Sequence, residues 1–358
     1  MDPLAGWTIA ITAERRAPEQ ADLLQRRGAD VVLAPLVASV PAADADVRAA
    51  TAALLERPLD AIVVASGVGL RAWMAMAWTW GLGEQLTDAL CATEVHARGG
   101  KAAGALLSEG IDALRRTPAE TLSEVLRDLM ARGVEGRRIG VQAHGGDMSW
   151  FLEVLTAAGA TVVPVEVYRT EPRSEPRGAD ALALAARKGT LDGITFTSPM
   201  AVAGLAALDG VLDDLRQSAV VCACVGPVTA AAAHDAGLPG IVAAAPHRMG
   251  SMVRVLGERL EARGRSLHVA GVTVRQQGSR LAIGEEEARL TPRERRLLEV
   301  MLATDGAVVS KERLASIAWD TAVDAHTVEV TVNRLRRKLG PAAAALETSN
   351  RRGYRIAV

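Results

Sequence analysis

Aromatic side chains are scarce. Two Tyr, two Phe and six Trp make up 3% of the 358 residues. A core built from such a chain is packed mainly by Ala and Val, which suits helix-rich α/β layers. Cysteine is nearly absent. Cys91, Cys222 and Cys224 are too few for a disulfide framework, which excludes a small stapled scaffold. Cys222 and Cys224 lie in the apolar run 219–225, where i and i+2 share a strand face. No further ligands stand at a spacing that would complete a metal site there. Buried, reduced thiols are the expectation, and no metal site is expected. No apolar run reaches the ~18 residues that a bilayer-spanning helix needs. Residues 1–12 also lack a basic stretch leading into an apolar core and cleavage site. A cytoplasmic protein with no membrane partner is therefore expected.

Neither sign of charge dominates. There are 41 Lys and Arg against 42 Asp and Glu, and 49% of residues are hydrophobic, which excludes a disordered chain. The balance hides an asymmetry. Residues 266–358 hold 15 basic and 11 acidic residues, leaving 26 against 31 for the remainder. A basic tail on an acidic body is a weak footprint of a polyanion partner.

The tail opens with short alternating strands at residues 267–269, 272–274 and 280–283. Leu290-Thr291-Pro292-Arg293-Glu294 then carries a capping box, with Pro292 at the first helical position. Leu297, Leu298, Met301 and Leu302 recur at helical spacing, and Gly306 stops that helix. Ser310 caps a second helix carrying Leu314 and Ile317, closed by Trp319. In the third helix, residues 326–339, Val328, Val332, Leu335 and Leu339 form a core stripe. The opposite face carries His326, Val330, Asn333, Arg334 and Arg337. It offers guanidinium groups for guanine edges or phosphates, an amide for adenine and an apolar contact for thymine. A solvated basic face is the plainer reading of that helix taken alone. The hairpin after it, with Arg351 and Arg352 at its tip, favours a wing that touches phosphates or a minor groove.

These motifs, continuing through Thr327-Val328-Glu329-Val330, Asn333 to Leu339 and Gly353-Tyr354-Arg355, resemble the OmpR/PhoB-type winged helix over the whole tail. The resemblance implies a recognition helix in the major groove and a wing on the backbone. It also implies tandem binding by a dimer, and contact with RNA polymerase or a co-regulator. It adds Thr327, Arg336 and Tyr354 to the DNA-facing set. His326 and Arg351 stand where the family usually has Arg and Gly, and no receiver-type phosphoacceptor pocket precedes the domain.

Residues 1–262 alternate strands and helices in a repeating βαβ phrase, which predicts parallel sheets with helices on both faces. Residues 59–68 echo residues 191–200, each an apolar strand ending in a Ser turn before a helix. Residues 96–106 echo residues 224–230, so two related lobes are expected. Ligands of open α/β sheets sit beyond the carboxyl ends of the strands, where helix N-termini present free N–H groups. Ser66, Ser198, Gly226 and Thr229 occupy such turns, as caps of the next helix or as ligand contacts.

This body resembles uroporphyrinogen-III synthase. Ile11-Thr12 with Pro35, Ala65-Ser66, Glu166-Val167-Tyr168-Arg169, Phe196-Thr197-Ser198-Pro199 and Gly226-Pro227-Val228-Thr229-Ala230 carry the likeness. It implies an α/β body (1–262) of two lobes, lobe one from 1–36 with 172–262 and lobe two from 38–168. A linker at 263–266 and a winged-helix domain at 267–358 follow. It further implies cofactor-free closure of hydroxymethylbilane, a carboxylate-rich linear tetrapyrrole, with Ser66, Tyr168, Ser198, Gly226 and Thr229 in the ligand cleft. Gly99-Gly100-Lys101-Ala102-Ala103 lacks the Thr of the corresponding family phrase. The fusion resembles actinobacterial regulators of nitrate and nitrite assimilation. Two readings follow: a regulator binding promoter DNA whose body senses a small anionic or tetrapyrrole-pathway ligand, or a working synthase with a DNA-binding tail.

Overall fold

The structure is a computed structural model and describes residues 2–111, 114–116 (backbone only), 121–143, 145–269, 271–319, 321–350 and 352–357. The chain divides into two compact units: Met1–Val37 with Pro172–Val358, and Ala38–Glu171. Among the described residues, no helix is long and apolar enough to cross a membrane.

In the Ala38–Glu171 unit, lobe two, five strands run parallel. Their order is Leu114–Arg116, Glu94–Ala97, Ala61–Val64, Arg138–Gln142 and Thr161–Val165. The strand Ala61–Val64 is apolar throughout because helices cover both of its faces. Ile62 and Val64 join a core with Leu70 and Trp73, while Ala61 and Val63 join one with Phe151 and Leu155. His96 is fully buried in this sheet, its Nε2 3.0 Å from Glu94 Oε1 and its Nδ1 3.4 Å from Asp128 Oδ2. Burial holds the imidazole below its ordinary 6.5, against the pull of both carboxylates and with the help of Arg132.

The other unit contains lobe one and the winged-helix domain. Lobe one's parallel strands are ordered Val242–Ala243, Val221–Cys224, Gly193–Phe196, Thr8–Ile11 and Asp30–Leu33. Counted from Gly193–Phe196, this repeats the order of lobe two. The first strand is central, the second and third lie to one side, and the fourth and fifth lie to the other. The echoing residues 59–68 and 191–200 are thus the first strand and turn of each lobe. Ile9 and Ile11 face one core and Ala10 the other, as strand alternation requires. Cys222 and Cys224 share the Ala10 side, and burial pushes both thiols up to about 12.

After the helix Met249–Glu261 the winged-helix domain begins. Four antiparallel strands come first: Arg265–Val269, Val272–Gln277, Arg280–Ile283 and Glu286–Arg289. Pairing starts at Arg265↔Gln276, so half of the expected linker 263–266 is strand. Arg265 and Ser266 are exposed and polar, and a ladder held by backbone bonds leaves no apolar signal there. The helices Pro292–Leu302, Lys311–Ala318 and Ala325–Lys338 follow, then the hairpin Leu346–Ser349 with Gly353–Ile356. Thr291 and Glu294 make the expected capping box, and Ser310 caps the second helix. Val328, Val332, Leu335 and Leu339 are buried in the shared core, as the stripe requires. Gly353 holds φ +133°, and a Cβ there would meet Val309 O at 2.0 Å. A glycine is therefore needed where residue 354 bridges to Val309.

Candidate nucleic-acid interface and ligand-facing turns

The recognition helix Ala325–Lys338 starts at Asp324, whose Oδ1 accepts the Thr327 N–H at 2.8 Å and the Thr327 hydroxyl at 2.6 Å. These bonds hold the Asp324 carboxyl below the usual range. They also turn the Thr327 hydroxyl onto the cap, so this expected contact serves the helix start. Lys311 Nζ lies 2.5 Å from Glu329 Oε1 and ties the second helix to the third. With the helix fixed on both sides, His326, Asn333, Arg334 and Arg337 are exposed and Val330 is half-buried on one outer face. Their spacing places them along a single helical stripe opposite the core.

Two other expected contacts differ. Arg336 donates to Leu346 O from Nε at 3.2 Å and Nη2 at 2.8 Å, and to Thr348 Oγ1 at 3.0 Å. Its guanidinium fork is spent joining the recognition helix to the hairpin, with Nη1 on Asn333 Oδ1 at 3.0 Å. Tyr354 is 5% exposed and packs in the domain core, so its ring is not offered to a duplex. Burial raises its hydroxyl above the ordinary value. Arg352 is exposed at the hairpin, and Arg351 lies outside the described residues.

In lobe two, Ser66 caps the helix Gly67–Thr79 beyond the strand Ala61–Val64. Its Oγ accepts the Gly69 N–H at 3.2 Å and lies 3.0 Å from the Tyr168 hydroxyl. Gln142, not singled out from the sequence, is fully buried, and its Oε1 accepts the Ser66 N–H at 3.1 Å. The signal available for it is an amide closing the apolar strand Arg138–Gln142. In lobe one, Ser198 caps the helix Pro199–Ala206 and accepts the Ala201 N–H at 3.3 Å. Gly226 precedes the helix Pro227–Asp235. The strands leading to these two turns pair in parallel with Phe196 opposite Cys224, which makes the turns neighbours. Thr229, in the first turn of the helix Pro227–Asp235, is buried at 3% exposure. Among the described residues no group of His, Cys, Asp and Glu is arranged to hold a metal ion.

Residues 19–254 match the family described as uroporphyrinogen-III synthase HemD, and residues 284–356 match the family described as transcriptional regulatory protein, C terminal. The uncharacterized protein YjjA of Bacillus subtilis is 26% identical over 264 residues, covering 72% of this chain and 97% of that protein. The transcriptional regulatory protein CutR of Streptomyces coelicolor is 47% identical over 73 residues, covering 20% of this chain and 33% of CutR. A crystal structure of a mutant uroporphyrinogen III synthase from the extremely thermophilic bacterium Thermus thermophilus superposes with a TM-score of 0.58 at 25% identity. The match covers 72% of this chain and 99% of the other.

Proposed function

Since this chain belongs to the uroporphyrinogen-III synthase HemD family and ends in a transcriptional-regulatory domain, we propose that it is a one-component regulator whose synthase-like body senses a ligand and whose winged helix binds promoter DNA. The fusion itself supports a transcription regulator. The observation that carries DNA binding is the outward face of His326, Val330, Asn333, Arg334 and Arg337 on a helix capped at one end and packed along its back. The ligand is a small anion or a tetrapyrrole-pathway molecule. The turns at Ser66 and Ser198 end apolar strands at helix N-termini, which suits carboxylates or other anions. Nitrogen-assimilation genes are the proposed targets, supported by the resemblance to actinobacterial nitrate and nitrite regulators. The protein works in the cytoplasm, and a dimer on tandem sites with RNA polymerase or a co-regulator as partner follows from the OmpR/PhoB likeness.

The test is recovery of genomic fragments bound by the full chain, followed by affinity measurement with added nitrite or uroporphyrinogen III. Enrichment of promoters with ligand-dependent affinity supports the reading. Fragments recovered at random, with no response to either compound, overturn it.

A second reading, an active synthase, draws on the Ser66–Tyr168 hydroxyl pair in lobe two. Purified protein supplied with hydroxymethylbilane separates the two. Type III product above the spontaneous type I isomer favours catalysis, and type I alone removes it.

A further inference from the structure

Arg295 lies on the first helix of the winged-helix domain but spends its side chain on lobe one. Its Nη1 and Nη2 meet Asp192 Oδ2 and Oδ1 at 3.1 and 2.6 Å, a two-pronged pair. Both side chains are withdrawn from solvent, at 16% and 5% exposure. The guanidinium carbon also stands 5.4 Å from the centre of the Trp7 ring, and Nε is held by Glu299 Oε1 at 2.7 Å. Around this contact the backbones meet directly. Ser279 N–H donates to Gly6 O at 2.8 Å, and Gln277 Nε2 to Pro3 O at 2.7 Å. Gly6 and Gly278 both hold positive φ, and a Cβ on Gly278 would meet Gly6 O at 2.2 Å. The close approach requires glycine on both sides.

Asp192 has a second task. Its Oδ2 accepts the Thr8 N–H at 2.9 Å, so one carboxylate holds the starts of two paired central strands, Thr8–Ile11 and Gly193–Phe196. At the far ends of the same strands, the Thr12 hydroxyl donates to Thr195 O at 2.6 Å, and the Ser198 turn follows. The Ser198 turn proposed for ligand and the seat of the DNA-binding domain are therefore at opposite ends of one strand pair.

We infer that the Arg295–Asp192 contact is a coupling pin: Arg295 is a positioning residue that fixes the orientation of the DNA-binding domain on lobe one. Through the strands Thr8–Ile11 and Gly193–Phe196, it passes changes at the Ser198 turn to the recognition helix. The passing of a signal rests on the regulator reading above; the fixing of orientation does not. The seated domain leaves Arg334 and Arg337 exposed, so the pin aims the DNA-binding face and does not mask it.

The test uses the full chain with spin labels at Asp209→Cys in lobe one and Ser316→Cys in the winged-helix domain, both exposed positions, and with exposed Cys91→Ser. Pulsed dipolar spectroscopy should give one narrow distance distribution. In Arg295→Gln it should broaden about twofold or more, because a weakly held domain moves by default. Asp192→Asn is the second route to the same result, and Arg295→Lys, which keeps the charge but loses the fork, should fall between. Circular dichroism checks that each variant is folded. A distribution equally narrow in the folded Gln and Asn variants overturns the inference. Adding uroporphyrinogen III separates it from the sensing reading. A native protein with a narrow distribution and unchanged DNA affinity counts against sensing of that compound and leaves the pin standing. A DNA response retained at full size in Arg295→Gln counts against the pin as the route of the signal.

Discussion

Lys338, in the last turn of the recognition helix, places its ammonium 2.7 Å from Glu294 Oε2 in the capping box of the first helix. The same carboxylate oxygen accepts the Thr291 N–H at 2.7 Å, and Lys338 also donates to Arg289 O at 2.6 Å. One buried carboxylate therefore caps the start of one helix and anchors the last turn of another. Burial raises its pKa, but the bonds from Lys338 and Thr291 outweigh that and hold it below the ordinary 4.5. A lowered carboxyl contributes stability that is full above the unfolded value and lost as pH falls through the folded one. Glu294→Gln should cost the winged-helix domain about 1–3 kcal/mol near neutrality. It should also flatten its acid limb below pH ~4.5. Hydrogen exchange of amides 295–298 as a function of pH measures both.

Arg334→Ala and Arg337→Ala remove groups from the outer face without touching the core stripe. Each lost base contact should weaken binding by ~1–3 kcal/mol. A lost phosphate contact should instead lower the slope of log K against log salt by about one. Arg336→Ala should behave differently, because its side chain braces the hairpin. Its affinity loss should be similar for all sequences and accompanied by faster amide exchange in 346–349. Titration of each variant with matched and scrambled duplexes at two salt concentrations distinguishes the three.

His96 gives lobe two a pH dependence of opposite origin. With its folded pKa below 6.5, the unfolded chain takes up the proton first as pH falls. Stability should drop as pH descends through ~6.5 and level off below the folded pKa. Glu94 and Asp128 face the ring and limit the drop, while Arg132 adds to it. His96→Gln should flatten this slope in urea unfolding followed at several pH values. An unchanged slope would remove His96 from the account.

Cys222 and Cys224 should be inert in the native protein, because both are buried and their thiols are pushed up to about 12. Cys91 is exposed. A thiol-reactive disulfide reagent at neutral pH should label Cys91 alone and reach the other two only after denaturation.

Much of the architecture was legible because it is written at short range. The capping box at Thr291 and Glu294, the Ser310 cap and the stripe from Val328 to Leu339 each lie within a few turns of chain. They depend on propensity and period. The strand Glu286–Arg289 was not legible, since Glu-Glu-Ala-Arg has no apolar alternation and is held by its neighbour's backbone. The exposure of His326, Asn333, Arg334 and Arg337 followed from the same period as the core. The roles of Arg336 and Tyr354 did not follow, because whether a residue faces solvent at the hairpin depends on what folds over it. Nothing local relates Arg295 to Asp192, 103 positions apart, or Gln142 to Ser66. The first pair exists only once the C-terminal domain is seated on lobe one, and the second only once the strands Ala61–Val64 and Arg138–Gln142 have paired.

Lobe one is made from both sides of an inserted lobe two, with the crossings at Val37 and Pro172. During synthesis, then, the strand Thr8–Ile11 emerges early with Asp30–Leu33 as its only sheet neighbour, and its other edge waits for Gly193–Phe196. Lobe two, uninterrupted, holds all five described strands of its parallel sheet before that edge is covered. The order of translation thus delivers lobe two first, lobe one second and the DNA-binding domain last, when Trp7 and Asp192 are already in place to receive it.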